Sequence, residues 1–198
     1  ENKILQLFKT NIDEIIVGSD DDRIKKIVSK FKGKNKKIFF IKRKKKYCIE
    51  SCSINDAIKN MLSLFDTDFV LWAHLTNPLT NQKHYNAAIN IFKKNLKKYD
   101  GLYSVNINNN YFWGLDQKPI NHNPQEKSHT ILSTGKIKPL YSDNGAIFIR
   151  KHKDMKRDGK FWSKRPVMFK MSEKDGWDIN SPWDLEACKL KSFKKKIF

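Results

Sequence analysis

The chain has 198 residues and a formal charge of +19, with 39% hydrophobic and 12% aromatic residues. This is enough apolar material for one domain with one sizeable core. No apolar run approaches the ~20 residues a membrane span needs, and nothing at the N-terminus reads as a secretory signal. Three cysteines are present. Cys48 and Cys52 have no second pair to complete a zinc site, so with Cys188 they are read as reduced thiols of a cytoplasmic protein. The charge has three readings: a lysine-biased composition, an anionic substrate, or a nucleic-acid partner. Lysines are scattered, arginines are few, and no nucleic-acid-binding motif is present, so the last is the least favoured.

Taken in order, Ile4, Leu5, Leu7 and Phe8 mark a short helix. It begins at Glu1 rather than Met, so a preceding segment is expected. Ile12 to Val17 is a β-branched run that reads as a strand ending at Gly18-Ser19-Asp20. Ile24, Ile27, Val28 and Phe31 recur at helical spacing, with Gly33 where a helix stop belongs. Lys37 to Ile41 is a second strand. Ile54, Ala57, Ile58, Met61, Leu62 and Phe65 form a helix stripe. Phe69 to Leu75 is nearly all apolar, as a strand buried on both faces would be.

Tyr85, Ala88, Ile89, Phe92 and Leu96 predict a further helix, and Gly101 to Ile107 a further strand. From 108 to 143 periodicity weakens and Asn, Pro, Gly and Lys dominate, which predicts an insertion of short strands and loops. Regular pattern returns at Gly145 to Arg150 and Val167 to Met171. A last helix starts at Ser181, with Ser181 as N-cap, Pro182 first and Asp184 in the first turn. Strands alternating with helices predict an α/β fold with a mostly parallel sheet. Ligands of such sheets bind at the carboxyl ends of the strands.

Polar residues gather at those ends: Gly18 to Asp21, Ala73 to Leu79, Asp143 to Ala146, and Gly176 to Leu185. In an extended segment alternate residues share a side, so Asp178 and Asn180 offer two oxygens to one hard cation, or else are solvated turn residues. His74 lies beyond a buried strand, as a ligand contact or a hydrogen-bonded structural histidine. Arg43 has the fork that suits phosphate. Ser51 and Ser53 precede a helix, where an anion binds readily, or Ser53 is only its N-cap.

The ordered segments VGSDDDRI, SCSINDAI, LWAHLTNPLT, DGLYSVN, NGAIFI and WDINSPWDLEAC resemble the acylneuraminate cytidylyltransferase (CMP-sialic acid synthetase) family from about Ile12 to Lys191. The resemblance implies a Rossmann-like nucleotidyltransferase fold. It implies transfer of CMP from CTP to a nonulosonic acid for glycan synthesis, with release of pyrophosphate. It makes Asp178 the catalytic metal-holding residue and Asn180 the second ligand of Mg²⁺, although the family has Asp at the latter position. His74, Thr76, Asn77 and Asn144 become contacts to the sugar, and Arg43, Ser51 and Ser53 contacts to the nucleotide. Segment 108–143 becomes a dimerisation insertion, so a homodimer is expected.

The family's Arg before Asn144 is missing, with Lys136 or Lys138 as candidate substitutes. Its glycine- and lysine-rich triphosphate loop is expected upstream of Glu1. A Kdo-like acceptor and a non-catalytic relative of the fold are the alternatives.

Overall fold

The computed structural model describes residues 1–31, 33, 37–125 and 137–193. In chain order the elements are α1 (Asn2–Phe8), β1 (Glu14–Ser19), α2 (Asp22–Ser29), β2 (Lys37–Lys42), α3 (Ile54–Leu62), β3 (Phe69–Ala73) and α4 (Gln82–Asn95), then β4 (Gly101–Asn108), β5 (Leu140–Lys151), α5 (His152–Asp158), β6 (Pro166–Met171) and α6 (Pro182–Phe193). The starts follow local chemistry. Asp21 caps α2 by accepting from the Arg23 amide at 2.8 Å, Ser53 caps α3 by accepting from the Asp56 amide at 3.1 Å, and Asn81 caps α4 in a capping box with His84. As the sequence predicts, Ser181 caps α6, and Asp184 reaches back to the Ser181 amide at 2.8 Å.

β1 and β2 form a parallel pair. The larger sheet has the order β3-β5-β4-β6, in which β4 and β6 run parallel and β5 runs against both its neighbours. Alternation along β5 sends its side chains to opposite faces. Ile147 and Ile149 pack with Leu102, Phe169 and the Tyr85, Ala88 and Phe92 face of α4. Phe148 packs the other way, with Ile58 and Leu62 of α3, Met155 of α5 and Phe161. The result is a three-layer α/β/α arrangement. α1 and α2 enclose a third cluster of Ile4, Ile15, Val28, Phe31 and Ile38 against the β1–β2 pair.

Two expectations are corrected. β3 is not buried on both faces: Phe69 is 42% exposed and Leu71 to Ala73 are half-buried. Its composition suits a central strand, but among the described residues only β5 pairs with it. α5 escapes the sequence reading because its buried residues are only His152 and Met155, too few to make a stripe. Of the 108–143 stretch, residues 109–125 and 137–139 are irregular, with one isolated bridge among the described residues, between Trp113 and Pro119, and its last residues already belong to β5. Residues 126–136, and Lys136 with them, lie outside the described residues.

Behind the sheet, Arg150 is only 4% exposed. Its guanidinium donates to both carboxylate oxygens of Asp158 at 2.9 and 2.8 Å and to the Lys160 carbonyl at 2.5 Å. Burial works to raise the Asp158 pKa, but the Arg150 hydrogen bond and charge hold the carboxyl below its ordinary value. Arg150→Met is therefore expected to lose about 3 kcal/mol in urea unfolding at neutral pH. A carboxyl with a depressed folded pKa stabilises above its unfolded pKa and stops doing so as pH falls through the folded one. The difference between wild type and variant should shrink in acid over that window. A neutral-pH loss below ~1 kcal/mol, the range of surface pairs, would refute the buried-pair account.

Candidate functional site

The site begins with an irregularity in β5. Tyr103 of β4 is in register with Phe148, but Val105 is in register with Asp143, so residues 144–147 bulge out of the ladder. Ser104, fully buried, fills the gap. Its hydroxyl donates to Asn144 Oδ1 at 2.5 Å and accepts from the Ile147 amide at 2.9 Å. Inside the bulge Gly145 takes φ +67°, a conformation that costs glycine least. Its amide donates to Asp143 Oδ1 at 2.8 Å, and its carbonyl turns toward His74, just past the end of β3.

His74 Nδ1 lies 2.7 Å from the Gly145 carbonyl oxygen. A carbonyl only accepts, so Nδ1 carries the proton and a neutral ring offers Nε2 as an acceptor. Phe148 and Phe161 stand edge-on to the ring at 5.7 and 5.2 Å.

Asn77 is the centre of the cluster and is 0% exposed. Its Nδ2 donates to the carbonyls of Asn144 at 2.8 Å and of Gly176 and Trp177 at 3.3 Å each. Three acceptors around one atom fix which end of the amide is nitrogen, and Oδ1 is left buried with no hydrogen-bond partner. Two further bonds tie the same segments: Thr80 Oγ1 to the Asp175 carbonyl at 2.8 Å, and the Ile179 amide to the Thr76 carbonyl at 2.9 Å. Together they place Asp178 beside the bulge. A Cβ on Gly145 would stand 3.6 Å from His74 Nδ1 and 4.0 Å from both Asn77 Oδ1 and Asp178 Oδ2.

Asp178 Oδ1 is buried without a hydrogen-bond partner, and Oδ2 accepts from Asn180 Nδ2 at 3.1 Å. Asn180 thus turns its nitrogen, not its oxygen, toward Asp178. Among the described residues no three His, Cys, Asp or Glu side chains gather into a metal cage.

The structure therefore brings together His74, Thr76, Asn77, Asn144, Asp178 and Asn180. Within that group Asn144 is 6% exposed and bonded through both side-chain polar atoms, to Ser104, to the Ala146 amide and to Asn106. Its side chain braces the bulge. The Thr76 side chain is exposed.

Arg43, Ser51 and Ser53 form a separate group where β2 meets α3. Arg43 Nη2 donates to the carbonyls of Ala57 and Tyr47 at 2.8 and 3.2 Å. The Ser53 hydroxyl is engaged in the α3 cap with Asp56, and Ser51 is exposed. Lys138 is exposed, its amide bonded to the Asn121 carbonyl at 2.9 Å. The sequence reading missed Ser104, Asn106 and Lys3. A serine amid the apolar run Gly101 to Ile107 is the signal that could have found the first.

No family model matches the chain, and no curated protein matches it. Among solved structures, 4-diphosphocytidyl-2C-methyl-D-erythritol synthase from Anaerococcus prevotii superposes with a TM-score of 0.63 and 11% identity, over 96% of this chain and 83% of that one. A CMP:2-keto-3-deoxy-manno-octonic acid synthetase complexed with CTP superposes at 0.62 and 9% identity, over 98% and 87%. The bifunctional IspDF of Campylobacter jejuni superposes at 0.58 and 16% identity, over 93% of this chain and 44% of that one. At these identities the likeness establishes the fold, an α/β nucleotidyltransferase fold.

Asn77→Asp tests the bracing. A carboxylate would face three carbonyl oxygens where an NH₂ now donates, so a stability loss of about 3 kcal/mol is expected at neutral pH. Protonation restores one donor, so thermal melts should show the loss diminishing in acid. A melting temperature equal to wild type at pH 7 would contradict the assigned amide orientation.

Proposed function

We propose that the protein is a CTP-dependent cytidylyltransferase that passes CMP to the hydroxyl of an acidic nine-carbon sugar of the sialic type. The observation that carries this reading is the Asp178 carboxylate, held beside the β5 bulge with Oδ1 buried and unpartnered. It sits in a fold shared with two structures whose names specify cytidylyl or CMP products. The ordered sequence segments resembling acylneuraminate cytidylyltransferases supply the acceptor class. The name of the second structure supports a Kdo-like acid as the alternative acceptor.

In the proposed reaction the anomeric hydroxyl oxygen bonds to the α-phosphorus of CTP, the bond to the bridging oxygen breaks, pyrophosphate leaves, and the hydroxyl proton is released. His74 Nε2 is an acceptor that orients the incoming hydroxyl, and Thr76 borders it. Arg43, held by carbonyls through Nη2, and Ser51 with Ser53 at the start of α3 suit the nucleotide side. The chemistry at Asp178 suits Mg²⁺: a hard carboxylate oxygen, Oδ1, left without a hydrogen-bond partner, for a metal otherwise held by phosphate and water. When bound, the ion would neutralise charge developing on the phosphates. Asn180 would contribute its oxygen after its amide turns over.

A homodimer through the 108–143 insertion accords with its exposed apolar side chains, Trp113 at 52%, Leu115 at 107% and Ile120 at 59%. A cytoplasmic setting accords with the free thiols of Cys48, Cys52 and Cys188. Among the described residues no helix is long and apolar enough to cross a membrane.

The intact gene product, given CTP, Mg²⁺ and a panel of nonulosonic and Kdo-type acids, should release pyrophosphate with one of them. Asp178→Asn should lower that rate roughly 100-fold or more while retaining the wild-type melting temperature. No pyrophosphate with any acceptor, or an Asp178→Asn enzyme as fast as wild type, would sink the proposal.

A further inference from the structure

Lys3, on the opening helix, is among the described residues one of the most buried that carry a charge. It is 7% exposed. Its ammonium donates to the Asn77 carbonyl at 2.8 Å and to the Tyr85 hydroxyl at 2.7 Å, and stands 5.3 Å from the Tyr85 ring centroid. Desolvation lowers its pKa to about 8. Among the described residues no carboxylate pairs with it, so both its hydrogen-bond partners are neutral.

A buried amine with only neutral partners is unfavourable unless its donors are needed. Here they meet the backbone oxygen of the residue whose side chain orders the site. The same helix holds the β3–α4 turn at other points: Asn2 Nδ2 donates to the Pro78 carbonyl at 3.3 Å, and Gln6 Oε1 accepts from the Gln82 amide at 3.4 Å. Lys3 therefore grips the turn from behind, and Asn77 grips the 176–178 segment from the front.

We propose that Lys3 is a positioning residue for the candidate site, setting the Asp178 segment through Asn77 without touching substrate. This deepens the functional reading above and rests on it for its enzymatic meaning, but the coupling itself exists without any substrate. The route has two links, Lys3 Nζ to the Asn77 carbonyl and Asn77 Nδ2 to the Gly176 and Trp177 carbonyls. Releasing the first lets the turn shift, and the second then no longer fixes the segment that bears Asp178.

The test is hydrogen–deuterium exchange of the intact protein, wild type against Lys3→Met, which keeps the apolar stem and removes the amine. Amides at 176–181, including Ile179, should exchange about tenfold faster in the variant, while Leu102 and Ile149 in the central strands stay at the wild-type rate. Tyr85→Phe keeps the Lys3–Asn77 bond and should leave 176–181 within about twofold of wild type. If Lys3→Met does not fold, Lys3→Gln, with a donor on a shorter stem, is measured in its place.

In turnover, kcat should fall while KM for CTP holds. Unchanged exchange at 176–181, or acceleration spread evenly over the molecule, overturns the inference. If exchange responds but no acceptor sugar ever releases pyrophosphate, the positioning stands and the assigned reaction falls.

Discussion

The candidate site depends on the side-chain amide of Asn77. One NH₂ group holds the carbonyls of Asn144, Gly176 and Trp177, and so joins the bulge of β5 to the loop ahead of α6. Because these partners only accept, the amide has a single admissible orientation, which leaves its oxygen buried and unmatched. A buried polar group without a partner costs roughly 1–3 kcal/mol, which the three bonds made by the Nδ2 end offset. Serine is too short to reach three carbonyls, and leucine would strand them. The position calls for a primary amide of this length, and His74, Gly145 and Asp178 take their places around it.

The charge distribution sharpens what such a site can hold. The chain as a whole is strongly basic, and its field favours approach of anions such as a triphosphate or an acidic sugar. The cluster itself is the reverse: Asn77 Oδ1, the Gly145 carbonyl, and the carboxylates of Asp143 and Asp178 all present oxygen. Asp143 accepts from the Gly145 amide and from Trp162 Nε1 at 2.7 Å, which disperses some of its charge, whereas among the described residues the Asp178 carboxylate accepts only from Asn180. Anions drawn by the surface would therefore meet repulsion at the centre unless a cation came with them. A nucleotide that brings its own divalent ion satisfies both conditions, and a bare acidic sugar satisfies only the first.

Much of the fold was legible because its signals are local. The 3.6-residue stripe of Tyr85, Ala88, Ile89 and Phe92 is the face α4 buries, and Ser181-Pro182 with Asp184 starts α6 where the cap chemistry puts it. Of the site, sequence located the strand-end segments but not how they interlock. Nothing local distinguishes Asn77, a brace, from a ligand contact, or shows that Asn144 is bonded all round, because both facts depend on partners far away in the chain. Lys3 was illegible for the same reason. A lone lysine near the start of a short helix reads as solvated, and only the docking of α1 on the β3–α4 turn buries it.

Asn180 bears directly on the reaction chemistry. Where the sequence resemblance implies a second aspartate, this chain has an amide whose nitrogen donates to Asp178 Oδ2. Two carboxylates side by side repel, and without a cation one of them tends to take up a proton. The amide removes that conflict: no second carboxylate stands at that position, and the Asn180 Nδ2 hydrogen bond orients the Asp178 carboxylate. The same exchange withdraws one negative charge from the cation's surroundings and so weakens its grip. The chain thus combines the Asn77 brace with one carboxylate, Asp178, in the segment where the resemblance implies two. In the proposed reaction the nucleotide's phosphates, rather than the protein, would supply most of the ligands to the metal, so metal and nucleotide affinities would be coupled.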